Sequence, residues 1–143
     1  MREILFKAKR LDSGEWVCGY LVKCRKNTYP SGYEIIEVDG INYDELDGYY
    51  PSYISERVDE STICQYTGLT DKNGNKIWEN DILDCKDRVT VVKWHTPCGT
   101  WDSVFVRYKG ELCSNGIQVV EWKYRAEVIG NIFDNPELLK DGE

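Results

Sequence analysis

Alternating apolar and polar positions predict short β-strands in the first part of the chain. Ile4, Phe6 and Ala8 lie at alternate positions with Lys7 and Lys9 as charged neighbours, and alternate positions between residues 16 and 22 hold Trp, Cys, Tyr and Val after a turn signal at 12–14. Successive side chains of a strand point to opposite faces, so these two runs predict an amino-terminal hairpin. Residues 33–38 predict a third strand, which the Asp-Gly pair at 39–40 ends.

The pattern is interrupted between residues 41 and 60, where Asp, Gly, Pro, Ser and Tyr replace a clear alternation. Such composition is typical of loops and of boundaries between domains. The sequence therefore predicts a small amino-terminal β subdomain over residues 1–60 and a second subdomain over residues 61–143.

Strand-like runs return in the second subdomain and are separated by turns. They cover residues 62–66, 77–78 with 82–85, 89–94, 103–108, 117–122 and 126–133. Five or six short strands at this spacing predict a small closed or partly open barrel in a mainly β protein. Beyond them, Asn135 suits a helix cap and Pro136 a first helical residue, which predicts a short terminal helix through Leu139.

The clearest turn lies in residues 67–83, which have the sequence TGLTDKNGNKIWENDIL. Asp71 can accept hydrogen bonds from backbone N–H groups that follow it, and Asn73 and Gly74 tolerate positive φ. The residues on both sides of this turn should therefore pair as a hairpin.

The same turn resembles the beginning of a calcium-binding loop, because Asp71, Asn73 and Asn75 alternate as the first ligands of such a loop do. That loop also requires Gly at its sixth position and Glu at its twelfth. Lys76 and Ile82 occupy those positions, so the sequence argues against calcium.

Charge and hydropathy narrow the possible classes of protein. The formal charge of -7 and the pI near 4.8 oppose non-specific attraction to nucleic acid, which usually requires a basic face. The amino terminus lacks the long apolar core of a signal peptide, and no apolar run is long enough to cross a bilayer. We expect a soluble, cytoplasmic protein without membrane association.

The six cysteines predict free thiols, since no secretory signal accompanies them. A metal site would have to combine His95 and Cys98 with Cys85 and Cys113. Structural zinc sites normally supply their four ligands as close pairs such as CxxC, and only one such pair, His95 with Cys98, exists here. Scattered cysteines acting as small buried side chains explain the pattern, so we predict no metal and no cofactor.

Three motifs occur in order along the chain: MREILFKAKR at its start, QYTGLTDKNGNKIWENDIL at 65–83 and EVIGNIFDNPELL at 127–139. Together they resemble the YopX family, whose members occur in phages and prophages of Gram-positive bacteria. The resemblance implies a mainly β protein with an amino-terminal subdomain and a carboxy-terminal SH3-like barrel. It implies no catalytic residues and no established role. Trp78 stands where the family often has Tyr, and Asn80, which can adopt the left-handed conformation, where it often has Gly.

Two groups of side chains have catalytic potential. Glu79 and Asp81 would share one face of an extended strand, with Asp71 across the hairpin, and His95 could act as a base for Cys98. A catalytic carboxyl group needs a perturbed pKa in a pocket, and a thiolate needs an orienting partner. The sequence identifies neither, so we interpret these residues as turn and loop residues and predict that the protein is not an enzyme.

Five Trp, ten Tyr and three Phe are more aromatic residues than a small core needs. Several tyrosines lie in or near polar sequence, and some of them should be partly exposed: Tyr43, Tyr49, Tyr50, Tyr53 and Tyr66. Exposed aromatic side chains favour protein interfaces. Next to Lys and Arg, as at 23–29, 107–109 and 123–125, they can also stack on single-stranded bases.

Because the chain is acidic, the leading hypothesis is a non-enzymatic interaction module that acts through protein–protein contacts or self-association. The first alternative is a nucleic-acid-binding barrel protein. The second is an enzyme that depends on a carboxylate or a thiol. The candidate surface comprises Tyr66, Asp71, Asn73, Trp78, Glu79 and Asp81.

Overall fold

The computed structural model describes residues 1–24, 32–86, 88–108 and 121–140. The chain forms two compact units: an amino-terminal unit, Ile4–Gln65, and a carboxy-terminal unit of Met1–Glu3 with Tyr66–Glu143. Antiparallel strands dominate both, which confirms the mainly β class. The division into domains 1–60 and 61–143 stays a prediction, because a compact unit need not fold independently.

Four strands and the start of a fifth form the sheet of the amino-terminal unit. They are β1 (Phe6–Lys9), β2 (Trp16–Cys24), β3 (Gly32–Asp44), β4 (Gly48–Val58) and β5 (Cys64–Thr70). The order β4-β3-β2-β1-β5 is antiparallel throughout. A 3-10 turn, Glu60–Thr62, precedes β5. The pairing of β1 with β2 confirms the predicted amino-terminal hairpin.

The structure corrects the prediction for residues 41–60. β3 continues to Asp44 and pairs with β4, so the segment predicted as an irregular boundary is mostly a long hairpin. The register shifts between Val38 and Gly40, because Asp39 is an extra residue that makes a β-bulge. The bulge reverses the alternation on which the strand prediction relied. Pro51 is tolerated because β4 lies at the edge of the described sheet.

One face of this sheet packs into a small core, where Ala8, Ile35 and Val58 are buried. Partly buried hydrophobic side chains surround them: Phe6, Val17, Leu21, Tyr33 and Ile63. Gly19 of β2 is also buried, and a Cβ atom there would lie 2.4 Å from the carbonyl oxygen of Ile36. A glycine at this position therefore lets β2 and β3 approach closely.

The carboxy-terminal unit contains the rest of β5 and five further strands. They are β6 (Lys76–Trp78), β7 (Asp81–Asp84), β8 (Arg88–His95), β9 (Thr100–Tyr108) and β10 (Glu127–Asn131). β6 pairs with β5 on the far side of the 71–74 turn, which confirms the predicted hairpin. The other four form an antiparallel sheet in the order β10-β7-β8-β9. Its core comprises Ile77, Leu83, Cys85, Val92, Trp101, Trp122 and Ala126.

The described strands of this unit do not close into a barrel, since β10 and β9 are the two edges of the four-stranded sheet. The sequence predicted a closed or partly open barrel, and the closed form is wrong for the described part of the chain, whose strands form an open sheet. The SH3-like arrangement that the resemblance implies stays a prediction.

Two helical details differ from the sequence prediction. Trp122, predicted as the end of a strand, begins the one-turn helix α1 (Trp122–Arg125), while residues 117–120 lie outside the described residues. The terminal helix is a 3-10 turn, Pro136–Leu139, and the side chain of Asn135 does not cap it. Instead, Asn135 Oδ1 accepts the N–H of Asn131 at 3.3 Å.

A further 3-10 turn, Thr96–Cys98, lies between β8 and β9. Among the described residues, no helix is long and apolar enough to cross a membrane.

Substitutions of Gly74 test the turn between β5 and β6, because the φ of this residue is 82°. We expect Gly74→Val to lower the stability of the carboxy-terminal unit by about 1–3 kcal/mol, since a β-branched residue resists positive φ. Gly74→Asn should cost less, because Asn tolerates the left-handed region. Urea unfolding followed by circular dichroism measures both, and equal stability of the Val variant and the wild type would contradict this turn.

Gly19 tests the close approach of β2 and β3. We expect Gly19→Ala to destabilise the amino-terminal unit by about 1–3 kcal/mol, because the new Cβ would overlap the Ile36 carbonyl oxygen. Gly40→Ala is the matched control, since a Cβ there meets nothing within 4 Å. Thermal unfolding should separate the two variants, and an unchanged melting temperature for Gly19→Ala would refute the packing.

Candidate functional site

Asp71 lies at the start of the turn between β5 and β6 and is only 2% exposed. Its Oδ1 accepts the backbone N–H groups of Asn73 and Asn75, each at 2.9 Å. Its Oδ2 accepts the N–H of Val128 at 3.0 Å and the side-chain amide of Asn75 at 3.4 Å. The carboxylate thus joins the turn to β10, and donors of the same chain occupy both of its oxygens.

The electrostatics of Asp71 fit a structural carboxylate. Burial alone would raise its pKa, because burial disfavours the charged form. The N–H groups of Val128, Asn75 and Asn73 outweigh that effect and hold the pKa of Asp71 below its ordinary value. A carboxyl group that acts as an acid near neutral pH needs a raised pKa, so the shift has the opposite direction.

Lys72 adds two further contacts between the turn and the start of β10. Its N–H donates to the carbonyl oxygen of Ala126 at 3.0 Å. Its Nζ lies 3.0 Å from a carboxylate oxygen of Glu127, in a partly exposed pair that adds little stability by itself. The turn therefore holds β10 through the buried Asp71 carboxylate, through the backbone hydrogen bond of Lys72 and, at the surface, through the pair of Lys72 with Glu127.

Asp81 has a similar role at the start of β7. It is 2% exposed, and its Oδ2 accepts the N–H of Trp78 at 2.8 Å. Asn80 has a φ of 68°, which confirms the left-handed conformation expected there, and its N–H donates to the Val92 carbonyl at 2.9 Å. Because the backbone turns at Asn80, Glu79 and Asp81 do not share a face of an extended strand.

The other residues of the predicted surface have mixed environments. Tyr66 is buried, and its ring centroid lies 5.4 Å from that of the half-buried Trp78. Lys76 Nζ lies 4.4 Å from the ring centroid of Tyr66 on the same hairpin. Glu79 is half-buried and Asn73 is exposed. Binding by this segment stays a prediction, but three of its six residues are buried.

The thiol and imidazole candidates occupy different environments. Cys85 is fully buried in the core of the carboxy-terminal unit. His95 ends β8 and Cys98 ends the 3-10 turn after it, and both are exposed. The described cysteines are free thiols, and no three His, Cys, Asp or Glu side chains of the described ranges group as metal ligands. Cys113 lies outside those ranges.

The amino-terminal sheet presents a second apolar face, opposite its core. Directly paired residues of neighbouring strands project to the same face. Tyr20 pairs with Ile36, whereas the next pair along, Leu21 with Ile35, belongs to the core side. Farther along the hairpin of β3 and β4, three apolar pairs continue the face of Tyr20: Val38 with Tyr53, Ile41 with Pro51, and Tyr43 with Tyr49.

The bulge at Asp39 makes this continuity possible. Val38 and Ile41 are three residues apart, an odd spacing that would place them on opposite faces of a regular strand. The extra residue restores both to the same face, opposite Tyr53 and Pro51. We call the strip Val38, Ile41, Tyr43, Tyr49, Pro51 and Tyr53 the ribbon face.

The ribbon face is exposed to solvent. Ile41 is 75% exposed, Tyr43 63%, Tyr49 80% and Tyr53 61%. The rings of Tyr43 and Tyr49 lie 5.0 Å apart, so they support each other across the hairpin. Exposed apolar strips of this kind mark binding surfaces or aggregation hazards.

The hairpin extends beyond the rest of the sheet. Pairing of β3 with β2 ends at Ile36 and Tyr20, whereas its pairing with β4 continues to Asp44 and Gly48. Where β2 and β3 separate, an open cavity of about 530 Å³ is lined by residues that include Trp16, Tyr20 and Val38. Two-stranded ribbons with an apolar face are marginally stable in water by themselves.

The sequence identified the relevant tyrosines but not their arrangement. Tyr43, Tyr49 and Tyr53 share the ribbon face, Tyr50 is exposed on the opposite face, and Tyr66 is buried in the other unit. The bulge at Asp39 shifts the alternation of β3 by one residue, so the pattern of a regular strand does not predict this strip. The cue that could have revealed it is the run of apolar residues on both sides of the Asp-Gly pair at 39–40.

The structure describes only parts of the basic and aromatic stretches at 23–29, 107–109 and 123–125. Lys23 Nζ lies 5.4 Å from the ring centroid of Tyr33, and Tyr124 is exposed on α1 between Lys123 and Arg125. Residues 25–31 and 109 lie outside the described residues. Lys23 and Tyr33 belong to the amino-terminal unit, and Tyr124 belongs to the carboxy-terminal unit.

Comparison with known proteins places the chain in an established group. A family model described as YopX protein matches residues 6–140. A similar solved structure is that of protein EF1440 from Enterococcus faecalis, with a TM-score of 0.59 at 23% sequence identity. The match covers 98% of this chain and 100% of that one, and it supports the fold alone. No curated protein matches the chain.

Asp71 gives a test that depends on pH. A lowered pKa in the folded state means that the charged carboxylate stabilises the fold above its ordinary pKa of 3.8, and that this contribution is lost as pH falls through the lower folded value. We expect Asp71→Asn to cost about 1–3 kcal/mol at pH 7, because an amide cannot accept N–H groups at both of its heteroatoms.

The difference between the wild type and Asp71→Asn should shrink as pH falls below the ordinary carboxyl value. Urea unfolding at several pH values measures this, with Asp47→Asn at an exposed turn position as the matched control. A difference that does not depend on pH would show that the charge of Asp71 does not matter.

Proposed function

This chain belongs to the YopX family, which has no established activity, and we propose that it acts as a non-enzymatic module for protein–protein interaction. The observation that carries the proposal is the ribbon face, a strip of six apolar residues on a hairpin that extends beyond its sheet.

The composition of the ribbon face is that of an interface. Tyrosine is enriched at the centres of protein interfaces, where its large ring gains much from burial and loses few rotamers. Burying apolar surface contributes about 25 cal/mol for each Å², so covering several exposed tyrosines and an isoleucine can drive association. A partner would also stabilise a hairpin that lacks neighbouring strands at its end.

The candidate catalytic groups do not favour an enzyme. The oxygens of Asp71 and one oxygen of Asp81 accept backbone N–H groups. His95 and Cys98 lie on exposed backbone around a short 3-10 turn. These contacts support structural roles for the residues that the sequence offered for chemistry.

We place the module in the cytoplasm of a bacterium, as the product of a phage or prophage, because its motifs resemble that family. The described cysteines are free thiols, the form that a reducing compartment maintains.

The test compares exposed tyrosines on opposite faces of one hairpin: Tyr43 and Tyr49 on the ribbon face and Tyr50 on the other. Tyr43→Ser/Tyr49→Ser removes the centre of the ribbon face, and Tyr50→Ser is the control on the other face. The immobilised full-length protein and both variants are incubated with lysate of a Gram-positive bacterium. We expect the wild type and the control to retain the same protein, and the double variant to retain at least about tenfold less, the equivalent of 1.4 kcal/mol.

Circular dichroism should show that the double variant remains folded, because its two side chains lie outside the core. Equal capture by the folded double variant and by the wild type would refute the ribbon face as the interaction surface. Activity that depends on Cys98 or Glu79 would contradict the non-enzymatic role.

A further inference from the structure

The hairpin that carries the ribbon face has a one-sided charge composition. Residues 37–54 contain five acids and no Lys, Arg or His. The acids are Glu37, Asp39, Asp44, Glu45 and Asp47, and all five are exposed. The first basic residue along β4 is Arg57, beyond the apolar pairs.

The acids are placed around the apolar strip and not within it. Asp39 is the bulge residue beside Val38, and Glu37 pairs with Ile54 on the opposite face. At the tip, Asp44 Oδ1 accepts the N–H groups of Leu46 at 2.8 Å and Asp47 at 3.3 Å, which orders the turn. Leu46, which is 94% exposed, lies between Glu45 and Asp47 in the sequence of this turn.

The acids around the ribbon face favour some classes of binding partner over others. Carboxylates at the edges of an apolar strip attract a basic partner and repel a phosphate backbone. A second copy of the chain would bring another acidic hairpin and a net charge of -7 to the same place, which costs free energy unless the two tips stay apart. Complementarity of charge therefore favours a partner other than this chain.

We infer that the ribbon face binds a basic protein segment whose apolar side chains cover Tyr43, Tyr49 and Ile41 and whose Lys or Arg residues meet the acidic tip at Glu45 and Asp47. This inference rests on the proposed function and adds the chemical class of the partner. The apolar contact supplies most of the affinity, and the tip sets orientation and the rate of association.

The test uses a displayed library of random 12-residue peptides, selected on the immobilised full-length protein. Selection on Tyr43→Ser/Tyr49→Ser removes peptides that bind elsewhere. We expect the remaining peptides to combine apolar residues with an excess of Lys and Arg. A fluorescently labelled peptide from this set should bind the wild type saturably, with an affinity that falls as salt rises.

Two charge variants with the same net change then locate the contact. Glu45→Lys/Asp47→Lys reverses the charge of the tip and should lower the affinity for the selected peptide at least tenfold, as measured by fluorescence anisotropy. Glu15→Lys/Glu60→Lys changes the net charge equally at exposed positions outside the hairpin and should leave the affinity within about twofold of the wild type.

Several results would overturn the inference. They are selection of acidic or uncharged peptides, failure to select any peptide that depends on Tyr43 and Tyr49, or equal effects of the two charge variants. A dimer in light scattering that the double tyrosine variant dissociates would assign the face to a second copy. Binding of a 20-nucleotide single strand that the same variant abolishes would assign it to nucleic acid.

Different results would contradict the proposed interaction surface and the inferred basic partner. If capture from lysate depends on Tyr43 and Tyr49 but the tip reversal leaves it unchanged, the basic partner is wrong and the interaction surface stands. If capture does not depend on these tyrosines, the proposed function itself is wrong.

Discussion

The carboxylate of Asp71 is the constraint on which the carboxy-terminal unit depends. A buried charge is costly unless donors satisfy it, and here the donors are N–H groups of the turn itself and of Val128, 57 residues away. One side chain therefore fixes both a local hairpin and a distant strand. The same N–H groups oppose a role for Asp71 as a general acid, since they stabilise its charged form and lower its pKa.

The two longer motifs of the chain meet through such contacts. The motifs at 65–83 and 127–139 are joined by the hydrogen bond from Val128 to Asp71 and by the pairing of Asp81 with Asn131. Gly130 sits beside the Asn135 side chain, where a Cβ would lie 2.4 Å from Asn135 Oδ1. The motifs that identify the family thus describe how its sheet is assembled, which explains why they suggest a fold more clearly than an activity.

The amino-terminal unit depends on a different feature, the β-bulge at Asp39. Its sheet buries one face in a core and leaves the other apolar, and the bulge at Asp39 keeps Val38 and Ile41 on that open face. A surface rich in tyrosine but bordered by acids can associate selectively, because apolar contact supplies affinity while charge excludes wrong partners. The functional proposal therefore depends on a single extra residue in β3.

The sequence by itself determined the local elements whose cause is local. The 71–74 turn, the left-handed Asn80, the amino-terminal hairpin and the strand content follow from side chains that act on their own backbone. Tertiary structure decided the rest. Only the fold brings Val128 to Asp71, redirects Asn135 to Asn131, pairs β4 with β3 and leaves the sheet of the carboxy-terminal unit open among the described strands. Those outcomes depend on strand register and on contacts between residues distant in sequence, and the local pattern of residues along the chain does not reveal either.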